Sequence, residues 1–248
     1  MIELKNLEKS FGGKKAVAGV TCSFQEGRIT GLIGPNGAGK TTVFNMITGL
    51  IKPTAGTVLV NGQDITGLQP HKVARMGIAR GFQRMRLFHA LTARENVMVA
   101  LPAVSHHLIP ALMSTGRKKA AMRAEADGFL EKVGVAHLGD RKASELSYGD
   151  QRSVMLACLL ASGARILMLD EPTGGIDPTS REKVLQQIIG LREQGHTIIL
   201  VEHNLDVVRG ACETVFFLAE GRVRASGTPA EIEADPQLTK IYFGAGHA

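Results

Sequence analysis

A chain of 248 residues, 44% hydrophobic and 21% charged, is long enough to bury one large α/β core or two smaller lobes. Its most apolar stretch, residues 154–169, is broken by Ser162, Gly163 and Arg165, well short of the ~20 apolar residues a bilayer span needs, and the opening MIELKNLEKSF lacks the apolar run of a secretory leader, so a cytoplasmic protein with at most peripheral membrane contact is expected. The net charge of +6 admits nucleic acid or anionic lipid as a partner, but the basic residues are dispersed among acids, which favours a solvated mixed surface and no nucleic acid.

Residues 2–24 form short β-favouring runs around a Gly12-Gly13 turn and predict an antiparallel edge sheet. The apolar run 29–33 then leads directly into Gly34, Pro35, Asn36, Gly37, Ala38, Gly39, Lys40, Thr41 and Thr42. This is the Gly-x4-Gly-Lys-Ser/Thr spacing, in which glycines let backbone amides cradle phosphate oxygens, the lysine reaches the β- and γ-phosphates and the first threonine reaches Mg²⁺. A helix starting near Lys40 adds its positive N-terminal end, and the pattern through Phe44, Met46 and Ile47 ends it near Gly49. Pro53 and Gly56 mark a turn, 57–60 reads as a strand, and Asn61-Gly62 signals a hairpin.

After Gln83 the texture turns helical. Thr92 and Glu95 make a capping-box pattern ahead of Val97, Val99 and Leu101, and Met122, Ala126, Phe129, Leu130 and Val133 recur at helical spacing. A helical subdomain over 84–160 is expected. Arg117, Lys118, Lys119 and Arg123 crowd one helix start; lipid head groups are one reading, a solvated helix face the favoured one. His106 and His107 read as loop residues, and no metal-ligand cluster accompanies them. Cys22, Cys158 and Cys212 are far apart in apolar surroundings and read as reduced core thiols. The runs 166–169, 198–201 and 215–218 predict buried parallel strands, with helices over 179–194 and 204–210.

Ligands of open α/β sheets bind beyond the carboxyl ends of the strands, so the residues that follow each run are informative. Gly34 opens the phosphate loop there, Asp170 and Glu171 follow the run 166–169, and Glu202 and His203 follow the run 198–201. Asp170 is suited to organising Mg²⁺, and Glu171 to polarising a water that attacks the γ-phosphate. An isolated Asp-Glu is more often a turn or a cap; the phosphate loop reverses that preference. His203 is placed to bond the γ-phosphate and hold Glu171 in line, and the Gln83 carbonyl oxygen to help coordinate the metal, with a strand cap and a polar turn as their plain alternatives. In LSYGDQR, residues 146–152, Ser147, Gly149 and a following helix start would make a second anion site, or only a capped helix.

Together these residues resemble the ATP-binding cassette (ABC) proteins, over nearly the whole chain. The resemblance implies a P-loop NTPase (RecA-like) α/β core with an antiparallel β edge sheet and the helical subdomain inserted between its halves. It makes Phe11 the aromatic that stacks on adenine, residues 34–42 the Walker A loop, Gln83 the Q-loop, residues 146–151 the signature, Asp170 and Glu171 the Walker B pair, Ile176-Asp177 the D-loop and His203 the switch histidine. More narrowly, FGG at 11–13, GIARGFQ with RLF at 77–88, LSYG at 146–149, VEHNLDVV at 201–208, and GTPAEI with YFG at 227–244 are similar to the ATPase subunits of branched-chain amino acid importers. Such a subunit hydrolyses ATP with Mg²⁺ at the cytoplasmic face of the inner membrane. It pairs head to tail with a second ATPase, a paralogue or a second copy, so that Ser147 and Gly149 complete the partner's site in trans. It drives transmembrane permease subunits and, through them, serves a solute-binding protein. An ATPase of a lipid or lipopolysaccharide exporter, or a soluble cassette protein without a permease, are the alternatives. Asp150 departs from the family, which has Gln or Glu at that place, as does Arg28, where an acid is common.

Overall fold

The computed structural model of the chain describes residues 1–82, 87–102 and 116–243. Two sheets organise it. The first is antiparallel, made of β1 (Ile2–Phe11), β2 (Lys14–Phe24), β4 (Ala55–Val60) and β5 (Gln63–Asp64), in the order β2-β1-β4-β5. Its β4–β5 hairpin turns on Asn61 and Gly62, both at positive φ (48° and 79°), the conformation an Asn-Gly pair favours.

The second sheet runs β10-β9-β3-β8-β7-β6, from β3 (Ile29–Ile33), β6 (Ile78–Phe82), β7 (Ile166–Asp170), β8 (Thr197–Val201), β9 (Thr214–Ala219) and β10 (Arg222–Gly227). All neighbours are parallel except β10, which returns antiparallel along β9. Strands β3, β7 and β8 are buried at every residue, as strands covered on both faces must be. Their period-two alternation divides the core. Ile166, Met168, Ile199, Val201 and Leu218 face the antiparallel sheet and helix α1 (Lys40–Ile47), while Leu167, Leu169, Ile198, Leu200 and Phe217 face the helices packed on the opposite side.

Two strands escape simple pattern reading. β6 carries a glycine and an arginine within its five residues, which disguises it. The glycine has a packing reason: a Cβ on Gly81 would lie 2.5 Å from Leu159 Cδ1. β10 alternates exposed and half-buried residues and closes the sheet edge.

On the helical side lie α3 (Ala93–Ala100), α4 (Arg117–Lys132), α5 (Tyr148–Ala161), α6 (Pro178–Glu193) and α7 (Leu205–Ala211), following the short α2 (Pro70–Arg75). Thr92 and Glu95 form the capping box of α3: Thr92 Oγ1 accepts from the Glu95 amide at 3.2 Å, and the Thr92 amide donates to Glu95 Oε2 at 2.9 Å. α4 buries Met122, Ala126 and Leu130, one stripe at a four-residue spacing, and packs with α3 and α5. α5 also contacts β6 and α6, so these helices meet the core along α5. The described residues end in α8 (Pro229–Ala234) and α9 (Pro236–Phe243). Cys22, Cys158 and Cys212 are buried free thiols. Gln83, His106 and His107 lie outside the described residues.

Candidate functional site

The phosphate loop joins the carboxyl end of β3 to α1 and is built tightly against its neighbours. A Cβ on Gly34 would fall 1.9 Å from the Leu218 carbonyl oxygen, and one on Gly39, at φ 106°, 2.6 Å from that of Ala16. No side chain fits at either place. Gly39 stands at the start of α1 in the left-handed region without a side-chain cap, and the first turn holds no acid. The first amides of α1 therefore lack helical partners, which makes an anion site. Lys40 is buried, and its Nζ donates to the Gly34 and Pro35 carbonyls at 2.6 and 3.0 Å, folding the ammonium over the loop. Burial pushes its pKa down, against the attraction of Glu171 and Asp170. An arriving polyphosphate would relieve that penalty.

Pro35, Asn36, Gly37, Ala38 and Thr42 open onto a cavity of about 1000 Å³. Phe11, half exposed at the tip of β1, lines the same cavity with Lys14, the β9–β10 turn at Glu220 and Gly221, and Gln237, Leu238 and Ile241 of α9. The contribution of α9 has no signal in the sequence, because it depends on where the last helix lands.

At the neighbouring strand ends the acidic groups converge. Asp170, the last residue of β7, is buried, and its Oδ2 lies 2.5 Å from Nη2 of Arg80 on β6. Glu171 follows at φ 53°, an uncommon conformation for a side-chain-bearing residue. Its amide donates to the Val201 carbonyl at 2.8 Å, and its Oε1 is 3.0 Å from His203 Nε2. The pair spans β7 and β8, so the structure brings Glu171 and His203 within hydrogen-bond reach.

Sequence pattern alone gives Glu202, the residue before His203, no role. It is buried, and its Oε1 accepts from the Thr173 amide (2.9 Å) and Thr173 Oγ1 (2.7 Å), while its Oε2 accepts from the His203 amide (3.1 Å). One carboxylate thus ties the turn after Glu171 to the backbone of His203. The signal available was an acid preceding His203 at the end of the apolar run 198–201, a place where an unpaired charge is not tolerated.

Ser147 caps α5 by accepting from the Asp150 amide at 3.1 Å, and its hydroxyl donates to Asp150 Oδ2 at 2.8 Å. Lys183 Nζ holds the other carboxylate oxygen at 3.0 Å. Burial opposes ionisation of Asp150, but the bonds from Lys183 and Ser147 outweigh it and hold the carboxyl below its ordinary value. The close approach that Gly149 permits is internal: a Cβ there would meet Ser180 Oγ at 2.5 Å. Tyr148 is well exposed, with the Arg152 guanidinium 5.2 Å from its ring centre. Residues 146–151 do not line the phosphate-loop cavity of their own chain.

Among the described residues no group of three or more His, Cys, Asp or Glu side chains is placed to hold a metal ion. Thr41, exposed at the start of α1, and Asp170 offer a hydroxyl and a carboxylate, a sparse hard-oxygen set that fits Mg²⁺ completed by phosphate and water.

A family model described as ABC transporter matches residues 17–174. The high-affinity branched-chain amino acid transport ATP-binding protein LivG of Salmonella typhimurium is 38% identical, the match covering 98% of each chain, and its counterpart BraF of Pseudomonas aeruginosa 37%, also over 98% of each. The lipopolysaccharide export system ATP-binding protein LptB of Haemophilus influenzae is 33% identical over 98% of this chain and 97% of its own. Among solved structures, the ADP conformation of an ATP-binding cassette of an ABC transporter aligns with TM-score 0.88 at 30% identity, covering 98% of both chains. A nucleotide-free cassette aligns with TM-score 0.87 at 30% identity, over 98% of this chain and 99% of its own.

Proposed function

The chain belongs to the ABC transporter family, and from that premise we propose that it is the ATP-hydrolysing subunit of an importer for branched-chain amino acids or similar small polar solutes. The observation that carries this reading is the convergence of the phosphate loop, Asp170, Glu171 and His203 at one edge of the parallel sheet, in a chain 38% identical over its length to LivG. The weaker match to LptB, at 33%, places the exporter reading second.

In this proposal the backbone N–H groups that residues 36–42 offer and the Lys40 ammonium hold the β- and γ-phosphates, and Phe11 stacks on the adenine. Thr41, Asp170 and Gln83 would hold Mg²⁺, which would supply neutralisation of charge on the phosphate oxygens. Glu171 takes a proton from the attacking water, and His203 keeps its carboxylate aligned across their 3.0 Å contact. The products are ADP and phosphate. Ser147 and Gly149 of a second ABC ATPase, a paralogue or another copy, close the γ-phosphate side, so the phosphate loop is half of a site. No helix among the described residues is long and apolar enough to cross a membrane. In this proposal, which rests on the family, the coupling runs through transmembrane permease subunits at the cytoplasmic face of the inner membrane, with a solute-binding protein as an indirect partner.

The test is purification of the intact complex from membranes, identification of its subunits, and a screen of its solute-binding protein against an amino acid panel. Two permease chains and a binding protein selective for branched aliphatic amino acids are expected. A lipid-handling permease without a binding protein would overturn the importer reading.

A further inference from the structure

Arg80 is a largely buried cation, its side chain 10% exposed, in a strand that is otherwise apolar or small. β6 pairs Arg80 with Met168 and Phe82 with Asp170, so the guanidinium and the Asp170 carboxylate come from the same face of neighbouring strands. The two arms of the fork divide. Nη2 meets Asp170 Oδ2 at 2.5 Å, and Nη1 donates to Asn45 Oδ1, also at 2.5 Å, while Cζ stands 5.6 Å from the centre of the Phe44 ring. Asn45 is buried on α1 one helical turn beyond Thr41.

We propose that Arg80 is a positioning residue for the metal site: its guanidinium fastens the Asp170 carboxylate of β7 to the helix that carries Thr41, fixing the separation of two ligands contributed by different elements. The inference rests on the reading of Thr41 and Asp170 as ligands. Two features favour positioning over charge balance alone. The bridge uses both arms of a rigid planar fork, a geometry that the point charge of a lysine cannot reproduce. It also ends on a neutral amide, which needs no countercharge. Groups that orient a ligating carboxylate in this way commonly govern metal affinity by about 10-fold or more when removed.

The test uses the purified full chain and a fluorescent ATP analogue, with affinity measured first in chelator and then across a Mg²⁺ titration; Mn²⁺ binding followed by loss of the free-ion magnetic resonance signal is a second readout. Arg80→Lys keeps a cation, and Asn45→Ala removes only the far anchor, so both retain a partner for the buried carboxylate. Arg80→Lys should leave affinity in chelator within about twofold and raise the half-saturating Mg²⁺ about 10-fold; Asn45→Ala should raise it about threefold by loosening one end. Asp170→Asn serves as the reference and should remove most of the metal response. Unchanged Mg²⁺ and Mn²⁺ titrations in both Arg80→Lys and Asn45→Ala, with Asp170→Asn impaired, would overturn the positioning role alone. Full rescue by lysine would also overturn it, reducing Arg80 to a countercharge. A full metal response in Asp170→Asn would overturn the ligand reading and this inference with it.

Discussion

Glu202→Ala removes an acceptor that three donors share, and its cost follows from the bonds it leaves open. The Thr173 amide at 2.9 Å and the Thr173 hydroxyl at 2.7 Å lose a buried partner, and the His203 amide at 3.1 Å a part-buried one. Hydrogen bonds to a charged group contribute about 1.5–3 kcal/mol each, but removing the carboxylate also relieves its own desolvation, an offset of several kcal/mol. The expected net loss is about 3–5 kcal/mol, a large part of the ~5–15 kcal/mol by which a domain is stable. Glu202→Gln keeps the volume and one acceptor oxygen but turns an N–H₂ toward a donor, so about 1–2 kcal/mol is expected. Urea unfolding followed by circular dichroism measures both. Because the same carboxylate anchors the His203 backbone, Glu202→Gln should also lower turnover more than it weakens ATP binding. A loss under about 1 kcal/mol for Glu202→Ala would refute the reasoning, because the three bonds would then have to be replaceable by water.

Lys40→Ala should weaken ATP binding about 10- to 100-fold at fixed Mg²⁺, the equivalent of one or two charge-assisted hydrogen bonds; unchanged affinity by titration calorimetry would contradict its placement on the phosphates. Asp150→Gln removes the carboxylate that takes the Ser147 hydroxyl and Lys183; ATP affinity of the isolated chain should stay within about twofold, while turnover of the assembled transporter rises about fivefold. An effect confined to the isolated chain would contradict the trans geometry. Burial pushes the thiols of Cys22, Cys158 and Cys212 up to about 12 from 9.0. The unfolded chain therefore releases these protons above about pH 9 while the folded chain retains them, so stability should be insensitive to the thiols below pH 9 and fall as pH rises from there toward 12. An aromatic disulfide reagent at pH 8 should react with none of them until the chain is unfolded; rapid labelling of the native protein would contradict their burial.

What could be read in advance was whatever depends on local chemistry. The phosphate loop, the Thr92 box, the Asn61-Gly62 hairpin and the apolar strands follow from conformational preference and burial within a few residues, and the structure has them where the patterns put them. β6 was hidden because Gly81 and Arg80 answer to distant partners, Leu159 on one face and Asp170 on the other. The roles of Glu202 and of α9 in the cavity were hidden for the same reason: each depends on chain segments brought together only by the fold. Asp150 was visible as a departure, but its hold on Ser147 was not.

Whether residues 34–42 form half a site completed by another cassette can be settled with a photo-crosslinking residue at Tyr148, which is 60% exposed. It should be placed in a Glu171→Gln background, in membranes carrying the whole transporter. With Mg²⁺ and ATP, position 148 should crosslink to the phosphate loop of a second cassette, and the product should be lost in ADP. An ATP-independent crosslink, or one to the loop of its own chain, would contradict a shared site.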